Sequence, residues 1–133
     1  MVVKAIPDGY HTITPYLVVP EAPAFIDFLG RALGATERMR MPSDGGAIMH
    51  AEVQVGDSVI MIASATDAAR SKTAMLHLYV ADVDAAYRRA VDSGAESLRE
   101  PADQAYGDRS AGVKDRWGNE WWFATHIKDV VLA

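Results

Sequence analysis

The stretch Tyr16-Leu-Val-Val-Pro-Glu-Ala-Pro-Ala24 decides the fold, because the chain repeats its pattern as His77-Leu-Tyr-Val-Ala-Asp-Val-Asp-Ala85. In each copy an apolar run precedes an acidic residue and a helical stretch, which then reaches a glycine, Gly34 or Gly94. A half of about 60 residues buries too little apolar surface to fold well alone. The two halves are therefore expected to pack as one domain.

The rest of each half predicts three further strands, the last two joined by a glycine-bearing turn at Gly56 or Gly118. The predicted order is β-α-β-β-β, written twice. Strands are expected at 11–19, 37–41, 47–55, 58–63, 74–80, 96–100, 109–114 and 119–125, with helices at 21–33 and 82–93. This predicts an α+β fold of two tandem modules that form a curved, half-open mixed sheet with helices on the convex face.

The predicted boundaries are a first module at about 10–64, a linker at 65–73 and a second module at about 74–126, all within one domain at 1–133. Composition supports a single domain, since 133 residues that are 50% hydrophobic can close one substantial core. The net charge of −5 disfavours nucleic-acid binding, and no segment is apolar enough to span a membrane. With no cysteine and no signal-peptide pattern, we expect a cytoplasmic protein.

Strand alternation predicts which side chains point away from the helix-covered face of each sheet. Leu17, Val19, Ile60 and Ile62 are expected under the first helix, and Trp121 and Phe123 in the core of the second half. Val55 is expected to pair with Ser58 across the hairpin, which places Glu52 opposite Met61. The opposite, open face then collects Thr14, Tyr16, Val18, His50, Glu52, Gln54 and Met61 from the first half, and Met75, His77, Tyr79, Ser110, Gly112, Glu120 and Trp122 from the second. This mixture of polar and aromatic groups predicts a ligand cavity.

Several motifs carry a resemblance to a known superfamily: Pro15-Tyr-Leu-Val-Val19, Met49-His-Ala-Glu-Val53, Gly56-Asp-Ser-Val-Ile-Met61, Leu76-His-Leu-Tyr-Val80 and Asp115-Arg-Trp-Gly-Asn-Glu-Trp121. They resemble the glyoxalase/bleomycin-resistance/extradiol-dioxygenase superfamily, also called vicinal oxygen chelate, and within it the PhnB-like glyoxalase-domain proteins. The resemblance implies the duplicated fold and a homodimer. It does not fix the chemistry, because this fold hosts lyases, isomerases, dioxygenases, thiol transferases and drug-binding proteins.

The metal enzymes of this superfamily draw ligands from four positions, which the resemblance places at Thr14, Met61, Met75 and Trp122. None of these side chains supplies the imidazole nitrogen or carboxylate oxygen that a divalent metal needs in such a site. The usual metal-dependent mechanism therefore loses its electrophile, and we expect no cofactor.

A displaced metal site is the alternative. His50, Glu52, His77 and Glu120 are all predicted on the open face, and two imidazoles with two carboxylates suit zinc or manganese. Such a site would support a lyase or dioxygenase. The competing interpretation is that each histidine hydrogen-bonds a neighbouring carboxylate or tyrosine in a wet cavity, with the glutamates on an exposed sheet margin.

The aromatic side chains on and near the open face admit two interpretations. They form pocket walls that stack a planar ligand and attract a cation, or they fill a groove between halves or subunits. The polar stretch 104–112 is interpreted as the longest loop of the second half. Its Arg109 either clamps a ligand carboxylate or phosphate, or forms an ion pair with Asp108 or Asp115.

The expected function is metal-independent binding of a small organic molecule, aromatic or cationic, in the manner of the bleomycin-resistance members. No catalytic residue is assigned, and a scaffold for a partner protein is a third possibility. The predicted ligand-binding residues are Tyr16, His50, Glu52, Met61, Met75, His77, Tyr79, Tyr106, Arg109, Glu120 and Trp122.

Overall fold

The computed structural model describes residues 3–131 and contains, within them, eight strands and two α-helices. The strands are β1 (Tyr16–Val19), β2 (Thr36–Pro42), β3 (Ile48–Val55), β4 (Ser58–Ser64), β5 (Met75–Tyr79), β6 (Glu96–Asp103), β7 (Asp108–Lys114) and β8 (Glu120–His126). The helices are α1 (Ala22–Leu33) and α2 (Val83–Asp92), and a short 3-10 turn at Asp44–Gly46 precedes β3.

Each half forms one four-stranded mixed sheet. The strand order is β1-β4-β3-β2 in the first half and β5-β8-β7-β6 in the second. In each sheet the first and last strands of the half run parallel, whereas the other neighbours are antiparallel. The predicted α+β fold of two tandem β-α-β-β-β modules is confirmed.

The chain divides into two compact units. Among the described residues, 3–30 together with Gly34–Lys72 form the first unit, and Arg31–Leu33 together with 73–131 form the second. That the two units make one domain, with the module boundaries predicted above, stays a prediction. Neither helix in residues 3–131 has the length and apolar run that crossing a bilayer requires.

Alternation along the strands places the core as predicted. In the first unit Leu17, Val19 and Ile62 are buried, and in the second unit Trp121 and Phe123 are buried. Each of these residues neighbours an open-face position along its strand, because successive side chains point to opposite faces. The core positions therefore fix which residues of each strand remain for a ligand.

The helices begin and end where local chemistry directs. Pro23 lies in the first turn of α1, and Gly34 follows its last residue in the left-handed conformation, with φ of 68°. At the start of α2 the Asp82 side chain accepts a hydrogen bond from the Ala85 backbone N–H. Helix α2 packs against β6, β7 and β8, so the second sheet has one helix-covered face.

Two sequence expectations are wrong. The first strand begins at Tyr16 rather than at residue 11, because Pro15 has no N–H to give to a ladder and joins the sheet only through its carbonyl, which accepts from the Met61 N–H at 2.9 Å. The stretch 104–112 is not a long loop, because β6 runs on to Asp103 and β7 begins at Asp108.

Candidate functional site

Cross-strand register defines one row of side chains on the open face of each sheet. In the first unit β1 pairs with β4, β4 with β3 and β3 with β2, which gives the first row: Tyr16, Met61, Glu52 and Met39. In the second unit the equivalent pairs give the second row: His77, Trp122, Gly112 and Arg99. Register partners share a face, so each row is a contiguous strip.

The first row is organised around a buried acid. Glu52 is 7% exposed, and its Oε2 lies 2.8 Å from His50 Nε2 while its Oε1 accepts the Tyr10 hydroxyl. His50 Nδ1 in turn lies 3.0 Å from the hydroxyl oxygen of Tyr16. The predicted residues Tyr16, His50 and Glu52 are thus joined in one hydrogen-bonded chain, with Tyr10 added at its buried end.

These contacts set the charge of the acid. Burial acts to raise the pKa of Glu52, but the hydrogen bonds from Tyr10 and His50 outweigh burial and hold that pKa below its usual range. The pKa of Tyr10 is raised, first by its hydrogen bond to Glu52, because that bond favours the protonated phenol. Glu52 is therefore a carboxylate at neutral pH, and Tyr10 remains a donor to it.

Sequence reasoning missed Tyr10 and its neighbour Arg38. The Arg38 guanidinium carbon lies 4.9 Å from the centre of the Tyr10 ring, and its Nη1 donates to Gln54 Oε1 at 3.3 Å. Tyr10 precedes the first strand, and a loop residue gives no periodic signal that would place it against a sheet. Arg38 precedes Met39 on β2, so assigning that strand to the open face could have placed Arg38 near the first row.

The second row is organised around an aromatic ring. A β-carbon at Gly112 would collide with the six-membered ring of Trp122, so the indole covers the bare backbone of that glycine. The Arg99 guanidinium carbon lies 4.9 Å from a Trp122 ring centre, and its Nη2 donates to Ser110 Oγ at 2.6 Å. The Trp122 indole N–H donates to Glu120 Oε1 at 3.0 Å. Arg99 is a further residue that sequence reasoning missed.

A second acid lies beside this row. The Asp108 carboxylate accepts the Tyr79 hydroxyl at 2.9 Å and lies 2.8 Å from His126 Nδ1, while His126 Nε2 lies 2.7 Å from Asp129. The hydrogen bond to Asp129, followed by that to Asp108, raises the pKa of His126. The hydrogen bond from His126 lowers the pKa of Asp108 against the effect of burial, and the contact with Asp108 raises the pKa of Tyr79.

The remaining predicted site residues are more exposed. Met75, His77 and Tyr106 are exposed, and the His77 ring meets Tyr79 edge-on at 5.0 Å. Arg109 is an ion-pair residue, but its partners are Asp84 and Asp103 rather than those predicted. All three of its nitrogens donate to these two carboxylates, which leaves it poorly placed to clamp a ligand.

The donors for a displaced metal site are distributed between the two units. His50 and Glu52 contact each other in the first unit, whereas His77 and Glu120 belong to the second. Over residues 3–131 there is no group of three or more histidine, aspartate or glutamate side chains arranged to hold a metal ion. The four-residue metal set stays a prediction.

The match to known proteins covers most of the chain. The family model of the Glyoxalase/Bleomycin resistance protein/Dioxygenase superfamily matches residues 9–123. The chain belongs to this superfamily. The resemblance drawn from the motifs is confirmed at this level, and the PhnB-like subgroup stays a prediction.

Two relatives of this protein come from mycobacteria. An uncharacterized protein of Mycobacterium bovis is 32% identical over 129 aligned residues, covering 89% of this chain and 85% of its own length. An uncharacterized protein of Mycobacterium tuberculosis H37Rv is also 32% identical over 129 residues, with coverage of 89% and 76%.

Two solved structures share the fold. TioX from Micromonospora sp. ML1 matches with a TM-score of 0.75 and 24% identity, covering 88% of this chain and 99% of its own. TnmS3, an antibiotic binding protein from Streptomyces sp. CB03234, matches with a TM-score of 0.70 and 20% identity, covering 93% and 99%. At these identities the likeness shows the architecture alone.

Proposed function

We propose that this superfamily member binds a small organic molecule, aromatic or cationic, on the open face of its sheets without a metal ion. The observation that carries the proposal is the exposure of large apolar and aromatic side chains on that face. On the first sheet Tyr16 is 49% exposed, and on the second sheet Met75 and Tyr79 are each 67% exposed. Apolar surface gathered on one face of a sheet marks a binding site more often than scattered exposed residues do.

Polar groups on the open face of each sheet support binding of a specific ligand rather than general stickiness. In the first sheet the hydroxyl of Tyr16 is held by the hydrogen-bonded chain that ends at Glu52, and in the second sheet the Trp122 indole beside Arg99 offers a flat surface with directed donors. The antibiotic-binding description of TnmS3 supports the same function by analogy of fold.

We infer further that the protein is a cytoplasmic homodimer of the PhnB-like subgroup. The motif resemblance supports the subgroup and the dimer, and the absence of cysteine is compatible with the compartment. A second copy of the chain would compete with a ligand for the exposed aromatic surface. The experiments below distinguish a bound small molecule from a second copy of the chain.

A thermal-shift screen of planar aromatic compounds, each paired with a cationic analogue of similar size, tests the binding function. A ligand at about 100 times its Kd adds about 2.7 kcal/mol of stability, which raises the Tm measurably. We expect stabilising compounds whose effect persists in chelator and is lost in Met75→Ala. The matched control is Leu98→Ala, which truncates an exposed leucine of β6 outside the second row and should leave the shift intact.

Three outcomes would count against the proposal. Stabilisation that requires added zinc or manganese would favour the lyase or dioxygenase alternative. A screen with no stabilising compound would remove support for ligand binding. If Met75→Lys instead halves the mass measured by light scattering, the face belongs to a subunit interface.

A further inference from the structure

The Tyr16 hydroxyl is the outer end of a hydrogen-bonded chain that begins at a buried carboxylate. Tyr10 and His50 satisfy the two oxygens of Glu52, and the other nitrogen of His50 lies 3.0 Å from the Tyr16 oxygen. Glu52 is buried, whereas Tyr16 is half exposed. The hydrogen-bonded chain therefore connects the buried carboxylate of Glu52 to the Tyr16 hydroxyl, which a ligand can touch.

The direction of donation along this chain follows from hydrogen counting. A carboxylate carries no hydrogen, so the Tyr10 hydroxyl and the His50 Nε2–H both donate to Glu52. A neutral imidazole has only one N–H, so His50 Nδ1 presents a lone pair and accepts the hydroxyl hydrogen of Tyr16. Tyr16 thus gives its single hydrogen inward and turns only lone pairs towards the open face.

We propose that Tyr16 is a specificity-determining residue that selects aromatic ligands carrying a hydroxyl group. This inference rests on the proposed function and names its ligand class. A phenolic hydroxyl donates to the Tyr16 oxygen, while the rest of its ring finds apolar contact at Met61, the register partner of Tyr16. An aryl methyl ether has no hydrogen to donate and leaves that oxygen without a partner.

The first experiment compares 2-naphthol with 2-methoxynaphthalene by isothermal titration calorimetry at about pH 8, where a phenol is protonated. The wild-type chain is expected to bind the naphthol about tenfold more tightly. Tyr16→Phe should abolish that ratio and leave the affinity for the ether unchanged. Tyr87→Phe is the matched control, because Tyr87 lies on α2 and its hydroxyl donates to Ser97, and it should keep the ratio.

Glu52→Gln gives a sharper test, because the amide has nearly the same shape as the carboxylate but reverses the direction of hydrogen-bond donation from residue 52 through His50 to Tyr16. The amide oxygen accepts from Tyr10, so the amide N–H donates to His50 Nε2 and moves the imidazole hydrogen to Nδ1. Tyr16 then accepts from His50 and turns its own hydrogen outward. We expect affinity for 2-methoxynaphthalene to rise about threefold or more, so that the ratio falls towards one.

Unfolding curves of each variant establish that it is folded before its affinities are compared. Equal binding of both probes by the wild type, or a ratio that Tyr16→Phe does not change, overturns the inference while the proposed function stands. Binding of neither probe also overturns it. In that case the thermal-shift screen still decides the proposed function, since its compounds need carry no hydroxyl group.

Discussion

The first and second rows occupy equivalent places in two copies of one sheet, yet they carry opposite charges. The inner strand β3 places Glu52 where β7 places Gly112, and the outer strand β2 places Met39 where β6 places Arg99. The difference shows that duplication preserves backbone register while each side chain is chosen by its local packing. A buried acid is stable at the β3 position because two donors satisfy Glu52. At the equivalent β7 position the ring of Trp122 fills the space over Gly112.

Both units also join a tyrosine, an acid and a histidine, but at different depths. In the first unit the histidine's free nitrogen meets Tyr16, a group that can reach a ligand. In the second unit the histidine is turned the other way, with Nδ1 of His126 on Asp108 and Nε2 on Asp129, a further carboxylate. The first arrangement suits recognition, whereas the second suits a charged tie between β7, the end of β8 and the segment that follows.

The largest expected effect compares the two hairpin turns. Asp115 is 4% exposed and accepts from the backbone N–H groups of Trp117 and Asn119 and from the Trp121 indole. Asp115→Ala leaves those donors buried without this partner, so the free energy of unfolding in urea should fall by about 3 kcal/mol. Asp57→Ala, in the exposed turn of the first unit, should cost less than about 0.5 kcal/mol. Equal losses would show that the two turns are equivalent in spite of their contacts.

A smaller effect tests the glycine of the second row. Gly112→Ala places a methyl group against the Trp122 ring, so the ring must move and the free energy of unfolding should fall by about 1–3 kcal/mol. Tryptophan fluorescence should shift as the ring moves. In a Trp122→Ala background the same substitution should cost almost nothing, as a double-mutant cycle would show. An additive cycle would mean that the indole does not exclude the methyl group.

The two histidine–acid pairs should respond to pH in opposite senses. His126 has a raised folded-state pKa, so its stabilisation is present below the unfolded value of about 6.5 and is lost as pH rises through the folded pKa. Glu52 has a lowered pKa, so its stabilisation is present above the unfolded value of about 4.3 and is lost as pH falls through the folded pKa.

Urea midpoints measured across pH check these signs. The deficit of His126→Gln relative to wild type should shrink towards alkaline pH, whereas that of Glu52→Gln should shrink towards acid. Parallel pH profiles for the two variants would contradict the assignment of opposite roles.

The smallest effect concerns Arg109. Its ion pairs with Asp84 and Asp103 are partly exposed, so Arg109→Ala should cost about 0.5 kcal/mol, and less in high salt because ions screen exposed charges. Asp84→Asn should give a similar salt-dependent loss. Neither substitution should alter the affinity for 2-naphthol. A large loss of affinity for 2-naphthol in Arg109→Ala would instead support the interpretation that Arg109 binds the ligand.

Much of this architecture was predictable because it rests on periodic signals. Alternation along the strands predicted the burial of Leu17, Val19 and Trp121, and the glycine turn predicted the pairing of Val55 with Ser58. The same alternation predicted that Glu52 and Met61 are partners. These predictions are confirmed, since each follows from the two-residue period of a strand.

The contacts that give the site its chemistry were less predictable. Tyr10 reaches Glu52 from a loop, and Arg109 finds Asp84 on a helix distant in sequence, so no local period records either contact. The contact between Arg99 and Trp122 could have been predicted from the sequence. Gly112 lies opposite Trp122 on the neighbouring strand, and a glycine in that position leaves room for the ring to lie over it. Aligning β2 with β6 would then have placed Arg99 in that row.

The outer strands β2 and β6 have a consequence for the protein in concentrated solution. Each ends its sheet, is interrupted by register irregularities, and carries charges and a proline: Glu37, Arg38, Arg40 and Pro42 on β2, and Glu96, Arg99, Glu100 and Pro101 on β6. Such edges repel an incoming strand, because it would meet charge and lose hydrogen bonds at the irregular positions. The edges formed by β2 and β6 are therefore protected against fibril growth, even though apolar side chains are exposed on the open faces.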